Sequence, residues 1–198
     1  MKQYTLASLI LAISTASVLA GTPIMEAKRV VTMAGSPFDQ GRMELQSASG
    51  AYFSFNNSGQ PGVDYSSTSY RLGIMLNTPS GDGCLRGNNE LLLQFTYGGV
   101  FHGAGNGLGV AAVLWRYNFV QPDSRWVPYV QAGIGAMYND IFDDRPVTPV
   151  AHEWELNLEA AVGVRYFLSE RWSINVEADY RYSGFDSVGA SVGLGLHF

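Results

Sequence analysis

The run WELNLEAAVGVRYFLSERWSINVEADYRYSGFDSVGASVGLGLHF, residues 154–198, decides the fold. Taken by alternate positions, Glu155, Asn157, Glu159, Ala161, Gly163 and Arg165 share one side. Trp154, Leu156, Leu158, Ala160, Val162, Val164 and Tyr166 share the other. After a break at residues 168–171, Ser173, Asn175, Glu177, Asp179 and Arg181 alternate with Trp172, Ile174, Val176, Ala178, Tyr180 and Tyr182. A third stretch alternates Ser187, Gly189, Ser191, Gly193, Gly195 and His197 with Val188, Ala190, Val192, Leu194, Leu196 and Phe198. Successive side chains on a strand point to opposite faces, so the run predicts strands with one apolar and one polar face.

The apolar face is almost unbroken and ends in aromatics, while the polar face carries carboxylates at mid-strand. A soluble sandwich would bury the first and wet the second. Strands of this length with aromatic ends fit a membrane barrel, with apolar side chains on lipid and polar ones in the lumen. The same reading extends upstream to strands at 43–55, 65–76, 88–97, 108–119 and 126–138. Met43, Leu45, Phe53, Leu72, Leu93, Trp115 and Ile134 are expected to face lipid; Glu44, Gln46, Arg71, Glu90, Gln94, Arg116 and Gln131 are expected inside. The fold class is therefore all-β: an eight-stranded antiparallel transmembrane β-barrel. An even strand count puts both ends of the barrel on one side, the periplasm. Connections near 56–64, 98–107, 139–151 and 183–185 are then extracellular.

The chain of 198 residues suits one domain. Residues 1–20 read as a signal peptide, with Lys2, an apolar stretch from Leu6 to Ile13 and small residues before Gly21. Residues 21–42 read as a periplasmic N-terminal segment and residues 43–198 as the outer-membrane barrel of a Gram-negative bacterium. No long apolar run follows, so any span must be β rather than helical. A single cysteine, Cys84, excludes an internal disulfide. The net charge of −5, without a Lys/Arg cluster, argues against nucleic-acid binding. No cofactor and no metal site are expected. The lumen charges are read as a structural ion-pair network, since such networks mimic sites easily; a solute pore is not expected at this strand number.

Four stretches resemble one family: Leu85-Arg86-Gly87-Asn88-Asn89-Glu90-Leu91, Leu114-Trp115-Arg116-Tyr117-Asn118-Phe119, Trp126-Val127-Pro128-Tyr129-Val130-Gln131-Ala132-Gly133 and Gly163-Val164-Arg165-Tyr166-Phe167-Leu168-Ser169. In order and spacing, with Trp172 following, they are similar to PagL-type lipid A 3-O-deacylases, also called acyloxyacyl-hydrolase-like barrels. The resemblance implies an outer-membrane esterase whose site lies on the lipid-facing side near the extracellular edge. It implies contact with lipid A, lipopolysaccharide and outer-membrane lipids. It also implies that Phe198, a C-terminal aromatic after Val192, Leu194 and Leu196, is read by the barrel assembly machinery. The family's reaction needs a Ser activated by a His that a carboxylate orients.

The family signature there is His-x-Ser-Asn on the seventh strand, with the acid opening the eighth. This chain reads Tyr180-Arg181-Tyr182-Ser183-Gly184-Phe185-Asp186-Ser187. Tyr182 takes the place of His, and Gly184 takes the place of Ser or that position is deleted. Asp186 falls near the acid position. A displaced base could come from His152, close to Asp186, with Ser183 and Ser187 nearby; His102 sits in an outside loop, and His197 reads as a structural group in the lumen. Three readings stay open: a degenerate family member with a structural or lipopolysaccharide-contacting role, an active deacylase with a displaced site, and a surface adhesion barrel acting through the loop at 139–151.

Overall fold

The computed structural model describes residues 36–55, 62–103, 105–139, 153–183 and 185–198, apart from the side chains of Asn139 and Glu153. Its strands are β1 (Met43–Ser54), β2 (Asp64–Met75), β3 (Asn88–His102), β4 (Gly107–Asn118), β5 (Trp126–Asn139), β6 (Glu153–Phe167), β7 (Trp172–Tyr182) and β8 (Asp186–His197). Each pairs antiparallel with the next, and β8 pairs with β1, so the sheet closes without an edge. Closure removes the unpaired backbone groups that lipid could not satisfy. The signal-peptide reading, residues 21–35 and the loop at 140–152 lie outside the described residues.

The faces fall as the alternation requires. On β7, Val176 is 52% exposed and Glu177 beside it is 2% exposed. On β6, Leu156, Leu158 and Val162 point outward while Asn157, Glu159 and Arg165 are buried. Aromatics ring the barrel at both ends. Trp126 stacks obliquely on Tyr166 at 4.5 Å at the end holding both barrel termini, the near end; Tyr138 and Trp154 meet at 5.5 Å at the far end. Leu, Val and Ile fill the outer belt between them, the pattern of a hydrocarbon layer flanked by interfacial rings. Phe198 is exposed beside the β1–β8 seam, and its N–H and C=O both bond Met43 at 3.0 Å.

Strand β3 corrects the sequence reading. Residues 98–107 were expected as a loop, but β3 runs on to His102 and pairs with β2 as far as Asp64. Gly98 and Gly99 have no side chains to show alternation, yet their backbone groups pair with β2 and β4. The actual turn is short, and Gly103 and Gly105 take it with φ of 97° and 118°, a region that favours glycine. The connection at 77–87 carries a 3₁₀ turn, Gly83–Leu85, and a bridge between Ser80 and Gly87.

The interior is filled. At the near end Phe38, Met75, Val120, Val127 and Phe167 form an apolar layer. Toward the far end Tyr52, Tyr65, Leu108, Val110, Met137 and Phe185 belong to another. Inward glycines give the large groups room: a Cβ at Gly163 would collide with the Tyr129 ring, and one at Gly189 with the Tyr52 ring. Phe38 comes from the segment just before β1. That segment belongs to the barrel unit, which begins at Ser36. Gly41 N–H donates to Met75 C=O and Met75 N–H to Arg42 C=O, each at 2.9 Å.

Candidate functional site

Between the two apolar layers lies a ladder of buried charges. Arg165 bonds Glu44 and lies 3.5 Å from Glu90. Arg116 reaches Glu44 at 3.3 Å, Glu90 at 3.4 Å and Glu177 at 3.5 Å. Arg71 bonds Glu177 and lies 3.6 Å from Glu159. Arg181 closes the ladder with Glu159 at 3.7 Å and Asp179 at 4.0 Å. Each arginine comes from a different strand, so the pairs tie opposite walls together. Neutral donors complete it: Tyr129 Oη donates to Glu177 at 2.6 Å and Gln94 Nε2 to Glu159 at 2.8 Å. The Arg116 guanidinium lies over the Tyr129 ring at 4.4 Å and that of Arg181 over Tyr52 at 4.1 Å.

At the near end of the lumen sits a Ser–His–Glu cluster. Ser173 Oγ and His197 Nε2 are 3.0 Å apart, and Glu44 Oε1 is 3.7 Å from the same nitrogen. In an acyl-transfer triad the acid bonds the ring nitrogen opposite the serine. Here both partners meet Nε2, and all three groups are buried. The cluster therefore lacks the geometry of such a triad. Alternation alone put these residues inside; only the register, which pairs Glu44 with His197, brings them together.

The far-end rim holds the positions that the family resemblance singles out. Asp186 pairs with Tyr182 across β7–β8, on the outer face, and Tyr180 Oη donates to its Oδ1. Ser187 is next in sequence and therefore faces inward, where its Oγ lies 3.0 Å from Tyr65 Oη. Ser183 is also buried. The structure thus puts Asp186 and Ser187 on opposite faces of β8. Gly184 and His152 lie outside the described residues. His102 is not in a loop; it ends β3, 76% exposed, with Nδ1 3.2 Å from Asp64 Oδ2. Asp64 Oδ1 also accepts from Ser54 N–H at 3.3 Å, so this carboxylate fastens the ends of β1, β2 and β3. Sequence reasoning missed that pair because the glycines hid the end of β3.

Solved structures with this architecture are found among bacterial outer-membrane proteins. Neisserial surface protein A superposes with a TM-score of 0.60 at 14% identity, covering 80% of this chain and 100% of that one. The N-terminal β-barrel domain of Pseudomonas aeruginosa OprF gives 0.55 at 19% identity, covering 80% and 98%. The fold is that of an eight-stranded outer-membrane barrel. The outer membrane enzyme PagL also aligns, over 77% of this chain and 98% of its own, but with a TM-score of only 0.43 at 17% identity. At these identities the likeness is one of fold, shared across the barrel class and not particular to the deacylases. The sequence matches no protein-family model and no curated protein sequence.

Proposed function

We propose that this chain is an integral outer-membrane barrel that contacts lipopolysaccharide through its outer face and far-end rim without hydrolysing it. The observation that carries the reading is the split at the rim. Asp186 and Tyr182 face the lipid side, where an esterase acting on a membrane lipid needs its nucleophile and base, while Ser183 and Ser187 are turned inward. Tyr182 carries a phenol where the esterase reaction calls for an imidazole. Asp186 receives a hydrogen bond from Tyr180, a structural use of the carboxylate. The filled lumen favours work at the outer surface over solute conduction.

The test uses the purified barrel in vesicles containing lipopolysaccharide, with a photo-crosslinking group at Tyr182. An adduct with lipopolysaccharide and no release of 3-hydroxy fatty acid from lipid A are expected. Released fatty acid would overturn the degenerate reading, and absence of the adduct would sink the contact.

A further inference from the structure

We propose that residues 36–42 are a stopper seated in the near-end mouth, and that it separates a lower lumen compartment from the bulk solvent. Phe38 is the seated group, only 3% exposed. Its ring meets Phe167 edge-on at 5.5 Å, and the Arg165 guanidinium lies 5.5 Å from its centre. Its C=O accepts from Asn88 Nδ2 at 3.2 Å. Directly above are His197, which packs on Phe167 at 4.9 Å, and its partners Ser173 and Glu44. Several buried atoms of this compartment, Arg165 Nη1, His197 Nδ1 and Asn175 Nδ2 among them, have no hydrogen-bond partner among the described residues. Water reaching them would be bound favourably, so the compartment is one that water enters once the aromatic group is lifted.

The stopper is fastened differently from the wall. Its turn is tied partly to itself, with Ser36 N–H donating to Asp39 Oδ2 at 2.7 Å, Phe38 N–H to Ser36 Oγ at 3.2 Å and Asp39 N–H to Ser36 C=O at 3.0 Å, and partly to the β2–β3 side of the mouth, through Gln40 N–H to Thr78 Oγ1 at 3.3 Å and the bonds of Gly41 and Arg42 with Met75. Wall strands are bonded on both sides along their whole length and open only with the barrel, whereas a short turn bonded to the wall at scattered points opens locally. The far end is closed independently. Tyr52 and Tyr65 stack at 5.0 Å, and Phe185 abuts Tyr65 at 6.2 Å. Lifting Phe38 therefore admits water to Ser173 and His197 and leaves the side chains beneath Phe185 dry.

Single cysteines report both compartments in a Cys84→Ser background, with the full chain in lipid nanodiscs so that both mouths meet buffer. Ser173→Cys samples the near compartment and Ser187→Cys the far one; both serines are fully buried. With Phe38 in place, a charged, water-soluble thiol reagent should modify both slowly. Phe38→Ala should raise the Ser173→Cys rate by roughly tenfold or more, as expected for losing a buried aromatic from a locally opening segment. Phe38→Leu, which still fills the mouth, should raise it much less. The Ser187→Cys rate should stay unchanged throughout. Equal Ser173→Cys rates with and without the Phe38→Ala substitution would overturn the stopper. A rise at both reporters together would overturn the two-compartment arrangement, because one opening would then expose the whole lumen.

Discussion

Glu177→Ala is expected to lower the unfolding free energy of the membrane-inserted barrel by about 3–5 kcal/mol, the cost of leaving a buried ion without its partner. Glu177 is the hub of the lumen ladder. It bonds Arg71, lies 3.5 Å from Arg116, and accepts from Tyr129 at 2.6 Å and from Gln46 at 3.3 Å. Without it Arg71 is left with Glu159 at 3.6 Å, and Arg116 with Glu44 and Glu90. Glu177→Gln separates the causes. Glutamine keeps the volume and an acceptor but not the charge, so a loss close to that of Ala assigns the effect to electrostatics. Denaturant unfolding in vesicles, followed through the tryptophans, gives the numbers. A loss of about 1 kcal/mol or less, the worth of an exposed ion pair, would sink the claim that the ladder is shielded from solvent.

One residue earlier the same strand faces a different solvent. Val176→Arg should cost about 2–4 kcal/mol, as for an arginine at the bilayer midplane on the lipid face of a barrel. Val176 sits near the middle of β7 between Val164 on β6 and Val192 on β8, so no polar neighbour is at hand. Leu168→Arg, in the exposed near-end turn, should cost about 0–1 kcal/mol, because the penalty fades toward the interface. The same unfolding experiment compares the two. Equal costs at both sites would mean that Val176 meets water.

The barrel was legible in the chain because alternation is a local property. Trp154 to Tyr166 and Trp172 to Tyr182 display both faces without help from any partner strand, and the wall follows once the strands are counted. What was not legible depended on register or on residues without a pattern. The extension of β3 was hidden by Gly98 and Gly99. The seating of Phe38 has no periodic signal, since one aromatic in a short turn reads the same whether it is buried or free. At the rim, alternation already put Asp186 and Ser187 on opposite faces. The ion ladder lies between: its members were all expected inside, but that Glu177 rather than Asp179 is its hub comes from how the strands are staggered.

The central claim is that this is a membrane-spanning barrel whose outer face meets lipid and whose inner face meets its own charges. Two neighbouring positions on β6 test it most directly. Leu158 is 41% exposed on the outside, and Asn157, a neutral residue, is fully buried inside. Each is replaced by cysteine in the Cys84→Ser protein, folded in vesicles and exposed to a thiol probe dissolved in the lipid. The account predicts fast modification of Leu158→Cys and little of Asn157→Cys. The reverse result would show the register displaced by one residue, with every face assignment inverted.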